Sequence, residues 1–304
     1  MSTNAIQSSH IYSTYFAPRG RSRIYTLGMQ IAQLYLSPFD QIIGFIGEAG
    51  SGKSVLIKGM FPGIELTNDD DGVNVRPLPL LEQEYETGFF TPHTYHLDIR
   101  FETGFHQLSE LADAVRLAVR RGKRIIIEHF DLIYPLLGVN ANLLIGVGEQ
   151  IVITRPNLFG PLPQELCDIV YPSLAYRLMA HSAEDLCEYA MTQEQMLACS
   201  HGDIRHGFVL EFNEHQPDID IPTLEARVNE LIRQDLPIDY YDESHILLGG
   251  AQHYCTGPRT HVRSTGRIIG FRLLDHFIYD QIGRAHVRTP VTTPHLVCRL
   301  LLEK

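Results

Sequence analysis

The first half of the chain alternates between short apolar runs and segments with helical periodicity. Apolar residues recur every three or four positions over Arg21–Leu36 and Phe105–Arg121, which predicts two amphipathic helices. Short apolar runs that predict buried strands occupy residues 41–46, 64–66, 124–127 and 150–154. Strands that alternate with helices favour a parallel sheet with helices on both faces. We therefore predict an α/β domain of the P-loop NTPase type over residues 41–163, after a lead-in and a helix over residues 1–40.

The pattern changes after residue 163. Residues 164–304 are rich in His, Tyr and Asp and lack the repeated strand–helix order. One clear helical period runs from Pro222 to Gln234. This segment is predicted to form a second, smaller domain of the α+β class.

Composition supports two globular domains. The chain has 304 residues, of which 44% are hydrophobic and 20% are charged. Its net charge of −11 opposes binding of a polyanion over the whole surface, although a local basic patch remains compatible with it. The odd number of cysteines, five, argues against a disulfide framework. Four of them are isolated in apolar segments and are predicted to be buried thiols: Cys167, Cys187, Cys199 and Cys298.

The sequence shows no targeting or membrane-spanning segment. The longest apolar stretch, Leu132–Ile153, is interrupted by Pro135, two asparagines and several glycines. The first residues lack a basic start and an apolar signal core. We expect a cytoplasmic protein without membrane contact.

A phosphate-binding loop follows the first apolar strand. Residues 47–54 read Gly-Glu-Ala-Gly-Ser-Gly-Lys-Ser, the G-x-x-x-x-G-K-[ST] pattern between a strand and a helix. Glycines let backbone N–H groups converge on phosphate oxygens, and the start of the helix adds its positive dipole end. The motif predicts binding of ATP, with GTP as an alternative, and of Mg²⁺ through the Ser54 hydroxyl. The predicted nucleotide-binding residues are Gly47, Gly50, Ser51, Gly52, Lys53, Ser54 and Val55.

Acidic residues follow two of the predicted strands. Asp69, Asp70 and Asp71 come after the strand at 64–66, and Glu128 ends the strand at 124–127. Carboxylates at this edge of the sheet suit Mg²⁺ binding or general-base chemistry. The candidate catalytic residues are Lys53, Asp70 and Glu128; a solvated acidic turn is the alternative for the aspartate run.

The region from about 41 to 155 resembles small-molecule P-loop kinases of the uridine kinase and phosphoribulokinase type. In that group, a strand after the phosphate loop ends in a catalytic Asp, and a later apolar strand ends in Glu. The resemblance implies a phosphate-binding role for Lys53 and Ser54, and a catalytic role for Asp70 or Asp69.

A second resemblance covers residues 200 to 285. Residues 255–261 place a Cys, a Gly-containing turn and Thr-His ahead of Thr265-Gly-Arg-Ile-Ile-Gly-Phe271. Upstream, the helix from Pro222 carries Val228-Asn229 and precedes Leu236-Pro237-Ile238. These segments are similar to the second additional domain of alanyl-tRNA synthetase, which is shared with threonyl-tRNA synthetase and free-standing tRNA-editing proteins.

The resemblance implies a zinc site and an aminoacyl ligand. In the family, a His-x-x-x-His pair plus a Cys and a His hold Zn²⁺, and water cleaves the ester of a mischarged tRNA. Tyr171–Met179, taken as the equivalent of the histidine pair, contains no histidine. The predicted zinc ligands are therefore His253, Cys255 and His261, with an open position for water. His201 and His206 are alternatives.

Three functions are compatible with these features. The first is a phosphotransferase or ATPase whose substrate, an amino acid or aminoacyl-tRNA, is selected by the second domain. The second is a metal-dependent hydrolase of mischarged aminoacyl-tRNA that is regulated by nucleotide. The third is a non-catalytic nucleotide-dependent switch.

Overall fold

The chain divides into two compact units. The computed structural model describes residues 13–64, 66, 93–156, 160–212, 217–282 and 291–300. The first unit comprises Met1–Ala17 and Arg21–Ser173, and the second comprises Pro18–Gly20 and Leu174–Lys304. A long helix, Pro163–Ala190, contributes its first part to the first unit and the remainder to the second.

The first unit contains a six-stranded sheet. Its strands are β1 (Ser13–Phe16), β2 (Ile42–Ile46), β3 (Thr94–Asp98), β4 (Arg124–Glu128), β5 (Leu143–Val147) and β6 (Gln150–Thr154). The order is β1-β6-β5-β2-β4-β3, and the pairs within β5-β2-β4-β3 are parallel. β6 is antiparallel to β5, because the turn at Gly148-Glu149 is too short for a crossover connection. The predicted α/β class is therefore confirmed, with a sheet that is mostly rather than wholly parallel.

Helices flank this sheet, and apolar residues fill both of its faces. The helices of the first unit are α1 (Arg21–Tyr35), α2 (Lys53–Met60), α3 (Ile99–Glu102), α4 (Leu108–Arg120), α5 (Phe130–Leu137) and the start of α6 (Pro163–Ala190). Ile43 and Phe45 pack in one core with α1 and α2, whereas Ile42 and Ile46 pack in another with α4 and α5. This division follows from the alternation of side chains along a strand.

Some predicted elements differ from those observed. The helix predicted over Phe105–Arg121 spans Leu108–Arg120. The strand predicted over 64–66 is wrong for its described residues, Ile64 and Leu66, which lie outside any strand. Gly63 has a left-handed backbone (φ +87°), and the Ile64 N–H turns back to the Phe61 carbonyl, so the chain does not extend there.

The second unit combines the end of α6 and two further helices with antiparallel strands. The helices are α7 (Gln193–Leu197) and α8 (Ile221–Arg233), and a short 3₁₀ turn spans Thr265–Arg267. The strands are β7 (Cys199–Ile204), β8 (Gly207–Phe212), β9 (Ile238–Asp242), β10 (His245–Leu248), β11 (Ala251–Tyr254), β12 (Phe271–Leu273), β13 (Ile278–Ile282) and β14 (Val291–Leu300). β9, β10 and β11 form a meander, and the other five form a second sheet.

The core of the second unit is separate and apolar. Leu186 on α6, Phe208 and Leu210 on β8, and Val228 on α8 are fully buried in it. α8 begins at the side chain of Asp220, which accepts a hydrogen bond from the Thr223 N–H. Across the described residues, no helix is both long enough and apolar enough to span a bilayer.

Candidate functional site

The loop of residues 47–54 connects β2 to α2, as its motif predicts. Gly52 precedes α2 with φ +89°, a conformation that favours glycine. A Cβ at Gly47 would lie 2.5 Å from the Val147 carbonyl oxygen, so the loop passes too close to β5 for a side chain. The backbone N–H groups of the first turn of α2, from Lys53 to Val55, belong to the positive end of that helix.

Three polar side chains meet beside this loop. The Lys53 ammonium donates to the carbonyl oxygens of Gly47 and Glu48 and lies 3.6 Å from Glu128 Oε2. The Ser54 hydroxyl donates to Glu128 Oε1 over 3.2 Å. Parallel pairing of β2 and β4 places the strand-end acid beside the loop that follows β2. The structure therefore brings together Lys53, Ser54 and Glu128.

Buried neighbours set the charge of this group. Burial alone would raise the pKa of Glu128, but the hydrogen bond from His96 and the charge of Lys53 outweigh it and hold the pKa at about 2. Glu128 is therefore ionised at neutral pH, and His96 Nε2 donates to it over 3.1 Å. Burial and the nearby Lys53 charge lower the pKa of His129 to about 4, so this ring is neutral.

A second strand-end acid completes the cluster. Ligand atoms of Asp98, Glu128 and His129 lie within 4.8 Å of one another. Asp98 ends β3, which pairs in parallel with β4, so both carboxylates reach the same sheet edge. The sequence interpretation missed Asp98 and His96; the apolar alternation in Thr94-Tyr-His-Leu-Asp98 was the available signal. Asp69, Asp70 and Asp71 lie outside the described residues.

The second unit contains another polar cluster. Ligand atoms of His181, Asp185, Cys255 and His261 lie within 4.8 Å of one another. His181 and Asp185 are four positions apart on α6, so they share one face of the helix. Cys255 follows β11, and His261 comes from the next loop. The Cys255 sulfur is 3.2 Å from His181 Nε2 and 3.7 Å from His261 Nε2.

Hydrogen bonds on the far side of each ring orient the histidines. His261 Nδ1 donates to the Pro258 carbonyl, and His261 Nε2 lies 2.8 Å from Asp185 Oδ2. A proton or a metal cation has to lie between these two atoms. His181 Nδ1 lies 3.2 Å from the Glu184 carboxylate, which leaves Nε2 directed at Cys255. Metal-binding histidines commonly have such outer partners.

The surrounding residues hold this geometry. Arg19 makes two 3.1 Å hydrogen bonds to Glu184, and both side chains are buried. A Cβ on Gly257 would lie 2.4 Å from the Arg19 carbonyl oxygen and 3.0 Å from His181 Nε2, so only glycine permits this close approach. Burial, and then the charge of Asp185, raise the pKa of the Cys255 thiol. A thiolate at this position therefore requires a neighbouring cation.

Not all of the predicted zinc ligands come together. Cys255 and His261 do, whereas His253 groups instead with Asp185 and Glu188. Of the alternatives, His201 contacts Glu184 and Glu188, and the His206 ring stacks on Tyr176. The sequence interpretation missed His181 and Asp185, because it sought a histidine pair and ended its search at Met179. The spacing His181-x-x-x-Asp185 was the available signal.

None of the four cysteines whose side chains the structure describes forms a disulfide. Cys167, Cys187 and Cys255 are buried, and Cys199 is half-buried. Of these, Cys255 lies in a polar cluster with two histidines.

Comparison with known proteins adds little to this geometry. No family model and no curated protein matches the chain. Among solved structures, the chain is similar to an amino transferase from Eubacterium rectale, with 12% identity and a TM-score of 0.23 over 75% of this chain and 67% of that chain. A likeness of that size carries no information on function, and it does not bear on either resemblance seen in the sequence.

Proposed function

We propose that the first unit binds a magnesium complex of ATP or GTP at residues 47–54 and transfers or hydrolyses the terminal phosphate. The observation that carries this proposal is the contact of the Ser54 hydroxyl with the ionised Glu128 carboxylate, beside the Lys53 ammonium. A serine after the phosphate-loop lysine and a strand-end carboxylate are the Mg²⁺-holding pair of P-loop enzymes. The resemblance to P-loop kinases points to the same chemistry.

Each group has a defined task in this proposal. Lys53 supplies positive charge to the outer phosphates, and Ser54 and Glu128 would hold Mg²⁺, whose charge would offset the charge that develops on the phosphates. Asp98, at the same sheet edge as Glu128, is placed to position an attacking hydroxyl or water.

Binding and turnover of Mg·ATP and Mg·GTP test the proposal. Lys53→Ala should lower nucleotide affinity about 10- to 100-fold, since charge-assisted hydrogen bonds contribute about 1.5–3 kcal/mol. Glu128→Gln should retain binding within about tenfold but lower phosphate release or transfer at least about 100-fold. Lys123→Ala, before β4 at the end opposite Glu128, is the matched control and should behave as wild type.

Two outcomes would contradict the assignment. Unchanged nucleotide affinity in Lys53→Ala would show that the loop is not the binding site. Tight binding without turnover against amino acids, nucleosides or tRNA would favour a nucleotide-dependent switch over a phosphotransferase or ATPase.

We propose as a second candidate function that the second unit hydrolyses an aminoacyl ester with a bound divalent metal ion. The observation that favours it is the set of His181, Asp185, Cys255 and His261, in which thiolate and imidazole are donors preferred by Zn²⁺. A Zn²⁺ ion there would satisfy the lone pairs that face one another and would polarise the ester carbonyl. The sequence resemblance to the editing domain points to mischarged aminoacyl-tRNA as the substrate.

Arg259, on a loop of this cluster, provides positive charge for a tRNA. Arg259 lies on the loop between Cys255 and His261, and its guanidinium is 4.4 Å from the centre of the Tyr240 ring. Guanidinium and aromatic faces are typical contacts for unpaired nucleotides. Phosphate contacts make such binding sensitive to salt.

Deacylation of mischarged aminoacyl-tRNA by the purified chain tests this candidate. Chelation should abolish the activity and Zn²⁺ should restore it, whereas Lys53→Ala should leave it intact. His181→Ala should remove it, and His276→Ala, at an exposed histidine, is the matched control. Activity that survives both chelation and His181→Ala would contradict the candidate.

A further inference from the structure

Three side chains form a second group beside the cluster of His181, Asp185, Cys255 and His261. Ligand atoms of Asp185, Glu188 and His253 lie within 4.8 Å of one another, so Asp185 belongs to both groups. Glu188 follows Asp185 by three positions on α6 and extends the same helix face. His253 lies on β11, two residues before Cys255.

The His253 ring carries a buried nitrogen without a hydrogen bond. Its side chain is only 10% exposed, and Nε2 has no hydrogen-bond partner. The nearest carboxylate oxygen of Glu188, Oε2, is 3.9 Å away, which is too far for a hydrogen bond. Burying a nitrogen without a hydrogen-bond partner costs free energy, unless a ligand between His253 Nε2 and Glu188 Oε2 supplies that partner.

The carboxylates of Asp185 and Glu188 face the space in front of the His253 nitrogen. Glu188 Oε1 lies 3.1 Å from His201 Nε2, which fixes the carboxylate and directs Oε2 toward His253. Glu184, the other acid on this part of α6, is matched by Arg19. Asp185 and Glu188 therefore present two oxygens to the space in front of the His253 nitrogen.

We propose that Asp185, Glu188 and His253 hold a second divalent cation, with Asp185 bridging it to the ion at the first cluster. Two carboxylates and one imidazole suit Zn²⁺, Mn²⁺ or Co²⁺. The 3.9 Å between His253 Nε2 and Glu188 Oε2 is shorter than the sum of two metal–ligand bonds, about 4.2 Å, so one ion can contact both atoms. The bridging role of Asp185 rests on the hydrolytic centre proposed for the second unit.

Titration of the metal-free full chain with Co²⁺ tests the second site. The wild type should bind two equivalents, and one of them should give a thiolate-to-cobalt absorption band, because only the first cluster contains a cysteine. Glu188→Gln and His253→Ala should each lose one equivalent and keep the band. Cys255→Ser should lose the band and one equivalent.

Matched control variants distinguish the loss of the second metal site from misfolding of the chain. Glu194→Gln and His276→Ala change exposed residues of the same types in the second unit and should still bind two equivalents. Glu188→Gln preserves the shape of the side chain, so a native circular dichroism spectrum is expected with it.

The remaining outcomes distinguish the two sites. One equivalent that is lost in Cys255→Ser, but retained in Glu188→Gln and His253→Ala, would overturn the second site and leave the first. One equivalent without the band, lost in Glu188→Gln and His253→Ala, would support the second site and contradict the first. A wild type that binds no Co²⁺ would overturn both.

Discussion

At the scale of single residues, burial of the Glu102 carboxyl lowers the stability of the fold by an amount that depends on pH. Its side chain is fully buried in α3, and neither carboxylate oxygen has a hydrogen-bond partner. Burial, and then the charge of Asp98, raise the pKa of Glu102 from 4.5 to about 7. The fold therefore disfavours the ionised form.

The raised pKa predicts how the stability of Glu102→Gln, relative to wild type, changes with pH. Because the pKa is raised in the folded state, stability is full below the unfolded pKa of 4.5 and falls as pH rises to about 7. The shift corresponds to about 3 kcal/mol. The variant should therefore gain that amount relative to wild type between pH 4.5 and pH 8, measured by denaturant unfolding at both values. Asp113→Asn, at an exposed acid, should show no such pH dependence; an equal change in both variants would contradict the argument.

Residues within one motif were predictable, whereas distant partners were not. Lys53 and Ser54 follow from a contiguous pattern whose glycines fix the local backbone. His181 and Cys255 are 74 positions apart, and only the fold brings them together. His253 is two residues from Cys255, yet it groups with Asp185 and Glu188, because it lies on β11 whereas Cys255 lies in the chain after that strand has ended.

At the scale of elements, α1 and α2 meet at a pair of glycines. A Cβ on Gly28 would lie 2.5 Å from the Leu56 carbonyl oxygen, and one on Gly59 would lie 2.2 Å from the Tyr25 carbonyl oxygen. These atoms belong to helix backbones, so the helices would have to separate. The glycine pair thus sets the position of α2, which starts with Lys53 and Ser54.

The sign of the stability change in Gly28→Ala or Gly59→Ala decides between two effects, helix propensity and steric conflict. Helix propensity alone would make Gly28→Ala or Gly59→Ala stabilising by about 1 kcal/mol. The steric conflict should instead destabilise the chain by about 1–3 kcal/mol, as overpacking does, and weaken nucleotide binding. Urea unfolding and nucleotide titration measure both. Gln30→Ala, at an exposed site on α1, should be neutral or slightly stabilising. A stabilised Gly28→Ala would show that the helices do not pack this closely.

The elements predicted best are those whose pattern is local. α1, β2, β4 and α8 have clear periods or buried runs, and each formed close to its predicted bounds. β5 was obscured because its apolar run joins that of β6 through Gly148-Glu149, without a strong turn signal. The missed helix α6 contains Pro172, which a sequence interpretation treats as a helix end.

At the scale of the whole molecule, the two units have separate cores and separate candidate sites. The cores around Phe45 and Phe130 belong to the first unit, and the core around Phe208 belongs to the second. The loop of residues 47–54 lies in the first, and the cluster of His181, Asp185, Cys255 and His261 lies in the second. A ligand that binds only the folded form of one unit raises the stability of that unit by mass action.

Calorimetry of the full chain can therefore assign each ligand to its unit. Mg·ATP at about 100 times its Kd should stabilise the folded chain by about 2.7 kcal/mol, and Zn²⁺ at the same ratio should do so equally. At the same Mg·ATP concentration, Lys53→Ala should lower the response to about 0.4–1.4 kcal/mol but keep the response to Zn²⁺, because its change is confined to the loop of residues 47–54. Cys255→Ser should keep the response to Mg·ATP and weaken that to Zn²⁺. A Mg·ATP response that is unchanged in Lys53→Ala, or a Zn²⁺ response that is unchanged in Cys255→Ser, would place that ligand elsewhere on the chain.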